Sequence, residues 1–556
     1  MPLRATRVSV LLGVVILALV LLGIPASRAV ASSGQVSIIQ DDPHLDRDPA
    51  GTLARMRLLG AQVVRVSVTW ELIAPTPNAT RPPRGFDASD PAAYPASRWT
   101  LWDTIVTDAH NDGITLDLDL MGGAPRWARG PGRPPNVHTD SWEPSASAFG
   151  AFVHAVGTRY SGTYVPPGGS APLPRVDFWT VWNEPDYGPS LAPQGVPGHL
   201  TIENAPRMYR GLVDAAWSGL NASGHHTSTD TIAWGELAPR GESFWGVASG
   251  MTPLTFLRAL YCVDSNYHPL RGTAAGLRGC PTTAAASRRF RADNPALFEA
   301  SGVTDHPYMR WYPPNREQNP NPVNHSATTD YSSLGVIGNL TRALDRLQGV
   351  YGSRTRFPIY DTEFAYMTSP PKHSPEPKRG YKVFFLSPTT ASAYMNWAEY
   401  LSWRNPRLLS YEQYLLYDPF RPTRHNDYGG FASGLLTWNG VQKATYDAWR
   451  LPLYLPVTTA RRGQALEVWG CVRPALYGAL DSGSPQTADI QFARRGSGQY
   501  TTVDTVAVST GSCYFDTRVT FPSSGTVRLV YTYPAVEPSP AGGVQVPSRT
   551  VSITVR

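Results

Sequence analysis

The sequence predicts an α/β fold: a (β/α)8 barrel followed by a small all-β, immunoglobulin-like sandwich. Three observations lead there. Over residues 36–450, short apolar, β-branched runs alternate with longer helix-patterned stretches, the pattern of parallel strands joined by helical crossovers. Eight such runs occur, enough to close a sheet on itself. After Trp449 the texture changes to short alternating runs separated by turn residues, as antiparallel sheets require.

Taken in order, the strand runs are residues 36–39, 62–68, 114–120, 176–181, 231–234, 302–305, 357–360 and 408–414. Helical stretches fall between them at 51–59, 99–112, 146–159, 205–220, 334–351 and 389–402. Pro- and Gly-rich loops at 78–95, 130–143, 165–175, 309–331 and 367–380 follow several strand ends. In a barrel such βα loops build the active face. The loop 309–331, which carries Trp311 and Tyr312, is expected to form a lid or a cleft wall. Runs at 465–468, 488–492, 501–507, 512–520, 525–533 and 550–555 supply the sandwich.

With 556 residues the chain exceeds one ordinary domain. Hydrophobic residues at 42% and charged residues at 17% permit a packed core and argue against global disorder. The expected division is a leader at 1–31, a catalytic barrel at 32–457 and a C-terminal sandwich at 458–556. Arg4 and Arg7 precede an apolar run over 8–24, and Ala29-Val30-Ala31 follows. That is the form of a cleavable secretory signal, with an uncleaved anchor as the alternative. The protein is therefore expected outside the cell, at the cell surface if the leader stays. Loss of Arg4, Arg7 and Arg28 would take the formal charge from +6 to +3. No long Lys/Arg block remains, so no nucleic-acid partner is expected.

Four cysteines are present, Cys262, Cys280, Cys471 and Cys513, without a C-x-x-C or a Cys/His cluster of zinc spacing. An oxidising compartment favours disulfides. Proximity suggests Cys262 with Cys280 and Cys471 with Cys513, although four cysteines allow three pairings.

The chemistry-bearing residues lie at two run ends. The apolar run from Asp177 ends in Asn183-Glu184-Pro185. Pro185 cannot continue a strand ladder, so the chain turns there. Glu184 then stands at the C-terminal mouth of the fourth strand, where barrels place catalytic groups. The seventh run, from Phe357, ends in Thr362-Glu363. Hydrolysis of a glycosidic bond needs two carboxyl groups flanking one anomeric carbon, and a barrel brings these two strand ends to one mouth.

On these residues the chain resembles clan GH-A of the glycoside hydrolases. Val-Trp-Asn-Glu-Pro at 181–185 resembles the clan's acid/base motif, and Tyr-Asp-Thr-Glu-Phe at 360–364 its nucleophile motif. Residues 62–75 are similar to its second strand, and 434–446 to the stretch that closes its barrel. The likeness spans roughly residues 36–450 and leans toward families 39 and 5, including bacterial exopolysaccharide-cleaving members. It implies that Glu184 is general acid and then base, and Glu363 the nucleophile. It implies that Asn183 binds the sugar 2-hydroxyl and that Arg65 lies beside Glu363 and keeps it ionised. It places His306 and Tyr308 at the end of strand six, with Tyr308 donating to Glu363. Trp70, Trp127 and Tyr414 are candidate sugar-stacking faces. Glu412-Gln413-Tyr414 departs from the clan pattern, in which a Trp often stands near this point of strand eight.

The clan retains anomeric configuration, which sets the carboxyl groups about 5–5.5 Å apart. Glu71 and Glu236 also follow strand ends and are the rival carboxylates. No H-e-x-x-H pattern, spaced His/Asp set, P-loop or strand-linked G-x-G-x-x-G occurs, so no metal and no cofactor is expected. Sequons at Asn78, Asn221, Asn324 and Asn339 are short matches that arise by chance. The expectation is a monomeric, secreted, retaining glycoside hydrolase with a carbohydrate substrate. A non-catalytic carbohydrate-binding barrel and a transglycosylase remain open alternatives.

Overall fold

Eight β-branched runs pair side by side as parallel strands in the computed structural model. It describes residues 32, 34–135, 137–138, 140–241, 246–316, 328–368, 385–421, 431–508, 512–536 and 541–556. The leader expected at 1–31, Asn324, and parts of the loops 309–331 and 367–380 lie outside the described residues. Among the described residues, no helix is long and apolar enough to cross a membrane.

The barrel strands are β1 (Val36–Gln40), β2 (Val63–Thr69), β3 (Thr115–Met121), β4 (Phe178–Val181), β5 (Thr231–Leu237), β6 (Gly302–Asp305), β7 (Ile359–Asp361) and β8 (Ser410–Tyr414). They run in the order β8-β1-β2-β3-β4-β5-β6-β7. The ring closes between β7 and β8: Ile359 N donates to Arg407 O at 2.7 Å, and Leu409 N donates to Ile359 O at 2.9 Å. This is the barrel the alternating runs imply, with the C-terminal strand ends gathered at one mouth.

Helices cover the barrel because their apolar residues recur at helical spacing. Ala205–Ala222 starts with a proline in its first turn and buries Tyr209, Leu212, Val213, Ala216 and Leu220 on one face. Ala146–Arg159 packs against it and is capped by Ser145, whose side chain accepts from Ala148 N at 3.3 Å. The β5–β6 connection holds helices with no counterpart in the sequence reading: Pro253–Leu260, Gly272–Leu277 and Ala284–Asp293. The disulfide Cys262–Cys280 ties the first two together. Arg210 donates to the Leu260, Arg278 and Gly279 carbonyls around it.

Beyond Arg450 the described residues form two all-β sheets, one of three strands and one of six. Leu453–Tyr454 already pairs with Ala465–Cys471, so the sheets begin before residue 458. The disulfide Cys471–Cys513 lies within the three-stranded sheet region. A helix, Ala475–Ser482, interrupts the strands and leans on the barrel, with Tyr477 Oη donating to Ala61 O at 2.7 Å. Fully buried Arg473 donates to Ser37 Oγ at 2.8 Å and also reaches Trp449 O and Glu399. The C-terminal sheets thus satisfy buried polar groups of the barrel.

Candidate active site

The mouth of the barrel is built where regular strand geometry breaks. At the end of β4 Trp182 has φ +69° and Glu184 has φ +40°. Both are left-handed conformations that non-glycine residues adopt at a cost and that concentrate at functional sites. Gly122 makes room for the first: a Cβ there would meet the Trp182 ring at 2.6 Å. Glu184 N donates to Glu236 O at 2.9 Å, which stitches the two strand ends together.

A bulge turns Glu236 inward. The β5–β6 register shifts between Trp234 and Leu237. Gly235 takes φ +134°, and a Cβ there would lie 2.3 Å from Thr304 O; only glycine permits that approach. Glu236 then follows at φ +47° with its N donating to Thr304 Oγ1 at 2.6 Å.

The side chains meet in one cluster. Arg65, from β2, donates through Nη1 to Glu363 Oε1 at 2.9 Å. Its Nη2 reaches Glu236 Oε2 at 2.9 Å, Asp119 Oδ2 at 3.0 Å and Asn183 Oδ1 at 3.4 Å. His306 lies between carboxylates, with Nε2 2.6 Å from Glu236 Oε2 and Nδ1 3.2 Å from Glu184 Oε1. Tyr308 Oη donates to Glu363 Oε2 at 3.1 Å. One carboxyl oxygen of Glu184 and one of Glu363, with a nitrogen of His306, lie within 4.8 Å of one another. Arg65, Glu236 and His306 are buried, whereas the side chains of Glu184 and Glu363 keep 21% and 12% of their surface, so only the latter pair faces the cleft.

The electrostatics follow from burial and counter-charge. Burial alone would raise the Glu236 carboxyl, but Arg65 and His306 outweigh it and hold it well below the usual carboxylate range. Burial opposes protonation of His306, yet Glu363, Glu184 and Glu236 raise it well above an ordinary imidazole. Burial pushes Asp119 well up, against the pull of Arg65, and lifts Asp117 to about 7. Glu363 is also raised: burial dominates, His306 and Arg65 pull down, and Glu184 and Glu236 push up. Arg65 does lie beside Glu363 as the resemblance implies, but its pull does not carry the net direction, because burial exceeds it.

The cleft above these groups has a volume of about 530 Å3. Asn183, Glu184, Glu363, Tyr308 and Tyr414 line it. Trp70 requires a correction: it is fully buried against Phe149 and Phe152, so neither face is open to a sugar. Trp127 packs edge-on against Trp70 and Phe86, donates to Pro75 O at 3.2 Å, and does not line this cleft. The aromatic wall is instead Tyr308, Tyr414 and Phe431, the last with its ring centroid 5.1 Å from Tyr308 and 5.6 Å from Tyr414. Of the rival carboxylates, Glu71 pairs with Arg129 at 2.8 Å, and Glu236 is a buried partner of Arg65 and His306. Glu412 accepts from Phe364 N at 2.6 Å and so holds the chain just past Glu363.

Asp119, Thr362, Arg240 and Arg310 also belong to the site region and were not singled out in the sequence. Asp117 and Asp119 do carry a signal: two acids spaced by two on an apolar strand share one face, and that face points into the barrel.

No protein-family model matches the sequence, and no curated protein matches it either. Among solved structures, the chain is similar to a family 39 glycoside hydrolase from the gut symbiont Bacteroides cellulosilyticus WH2. The identity is 13%, the TM-score 0.44, and the match covers 89% of this chain and 82% of that one. A glucosidase from Croceicoccus marinus is similar at 12% identity and TM-score 0.43, covering 89% and 94% of the two chains. So is a GH39 enzyme from Xanthomonas axonopodis pv. citri, with the same identity, score and coverage.

Proposed function

We propose that the protein is a retaining glycoside hydrolase in which Glu363 is the nucleophile and Glu184 the acid/base. The observation that carries this reading is the separation of the two cleft-facing carboxyl groups, with oxygens within 4.8 Å. A retaining pair stands about 5–5.5 Å apart, whereas an inverting pair needs about 6.5–9.5 Å to admit water.

The hydrogen bonds support the division of labour. Arg65 and Tyr308 both donate to Glu363, which favours its charged form. In this scheme His306 Nδ1–H donates to Glu184 Oε1, leaving Oε2 to carry the proton toward the leaving group.

In the first step Glu184 gives that proton to the glycosidic oxygen as the Glu363 carboxylate bonds to the anomeric carbon. In the second, Glu184 takes a proton from water, the hydroxide adds to the anomeric carbon, and Glu363 leaves as a carboxylate. Asn183, at the rim beside Arg65, is the group we assign to the sugar 2-hydroxyl. Two disulfides suit an extracellular site of action. We read the C-terminal sheets as an immunoglobulin-like sandwich that braces the barrel.

Turnover of a panel of aryl β-glycosides by wild type and Glu363→Gln tests the reading. Turnover by wild type, absent in the variant, is expected; equal rates would favour a binding protein that kept the barrel.

A further inference from the structure

Two arginines line the cleft without a salt bridge to a described carboxylate. Arg240, just past β5, and Arg310, just past β6, both face the volume that holds Glu184 and Glu363. Arg240 is partly buried, and its Nε has no hydrogen-bond partner among the described residues. Arg310 is exposed, stacks over the Trp311 ring at 4.7 Å, and takes φ +56°. Arg310 is among the charges that act on Arg240, the others being Glu184, Tyr331 and Tyr312. Burial first, then Arg310, brings the Arg240 pKa down to about 9, so it stays cationic at neutral pH.

Neither arginine is spoken for by the catalytic cluster. Glu184 and Glu363 are already held by His306, Arg65 and Tyr308. No salt bridge joins Arg240 or Arg310 to any described carboxylate. Two neighbouring guanidinium groups, one of them with a desolvated and unbonded donor, repel each other and leave hydrogen-bonding capacity unused. An oxyanion supplies what both lack, since a guanidinium presents a fork of donors that matches a pair of carboxylate or sulfate oxygens.

We infer that the cleft takes an anionic glycan, in which a carboxylate or sulfate on the sugar is received by Arg240 and Arg310. This rests on the proposed function for its placement beside the reacting bond, but the binding step can be read separately. Arg240 is the inner contact and Arg310 the outer one, so the substituted sugar lies on the side of the cleft bounded by the turns after β5 and β6.

The test uses full-length protein carrying Glu363→Gln, which keeps the cleft and blocks turnover. It is applied to an array of uronate-bearing, sulfated and neutral oligosaccharides, with carboxyl-reduced and desulfated forms of the charged ones. Binding to charged glycans is expected, weakened at least tenfold when Arg240→Gln or Arg310→Gln is added, and lost on carboxyl reduction or desulfation. The reduced and desulfated arms show which anion is read. Arg310 is exposed, so its variant should fold as the parent does, and the unfolding midpoint of each variant is measured alongside. Binding confined to neutral glycans, no binding to any charged glycan, or charged binding indifferent to both arginines overturns the inference. Charged-glycan binding that survives both arginine changes, while wild type still hydrolyses aryl glycosides, would sink the inference and leave the glycosidase reading in place.

Discussion

Glu236 Oε2 lies 2.6 Å from His306 Nε2, and the other ring nitrogen of that histidine lies 3.2 Å from Glu184. A carboxylate that never faces the cleft is thereby coupled to one that does. In the proposed mechanism Glu236 acts through His306 and Arg65 rather than on substrate, as a positioning residue.

Glu236→Gln should therefore slow turnover by about 10–100-fold, the usual cost of removing a buried orienting partner. Its signature is a pH profile. Without that carboxylate the His306 pKa falls, so the alkaline limb of kcat/KM should move to lower pH. A rate loss with an unmoved profile would mean Glu236 is only structural. Glu236→Asp should recover part of both readouts.

Buried acids impose a pH dependence on stability. Asp117 titrates at about 7 in the folded protein against an ordinary value of 3.8. The folded form binds its proton more tightly than the unfolded chain does. Stability from this group is therefore complete below about pH 4 and is lost as pH rises toward 7, at up to about 1.4 kcal/mol per pH unit. Asp117→Asn should flatten the wild-type curve over that window, measured as denaturant midpoints at several pH values. Asn can still accept from Thr180 Oγ1, now 3.1 Å from Asp117 Oδ1. A variant curve parallel to wild type would contradict the assignment.

The two disulfides close loops of different length, with sequence separations of 18 and 42. Chain-entropy arguments give about 3 kcal/mol for the shorter and about 4 kcal/mol for the longer. Cys471→Ser with Cys513→Ser should thus lower the unfolding midpoint more than Cys262→Ser with Cys280→Ser. The reverse order in calorimetry would show that local packing, not loop closure, sets the effect.

The C-terminal sheets supply Arg473 to the buried Glu399 and Tyr514 Oη to Gln35 at 3.0 Å. Truncation after Val457 should leave Glu399 buried without its cation, at a cost of about 3–5 kcal/mol. Loss of soluble expression is the expected result; a soluble, fully active truncation would show that the barrel does not need them.

Much of the barrel was legible because strand runs and helix spacing are local signals. The alternation over 36–450 marks all eight strands, and Asn183-Glu184-Pro185 and Thr362-Glu363 mark the ends of two. Trp70 misled because an aromatic at a strand end looks the same whether it faces a cleft or packs on Phe149 and Phe152. Glu236 was visible only as a rival because its role depends on the bulge at Gly235, a register effect between β5 and β6 that no single segment encodes. Arg240 and Arg310 follow different strands, and only the pairing of β5 with β6 makes them neighbours.

The paired roles of Glu184 and Glu363 are tested most directly by azide rescue of Glu184→Ala and Glu363→Ala on an aryl glycoside that the wild type hydrolyses. Both variants should lose at least about 10^3-fold in kcat. Azide should then restore turnover in each, giving a glycosyl azide of retained configuration from Glu184→Ala and of inverted configuration from Glu363→Ala. Wild-type rates in either variant, or products of the same configuration from both, would contradict the account.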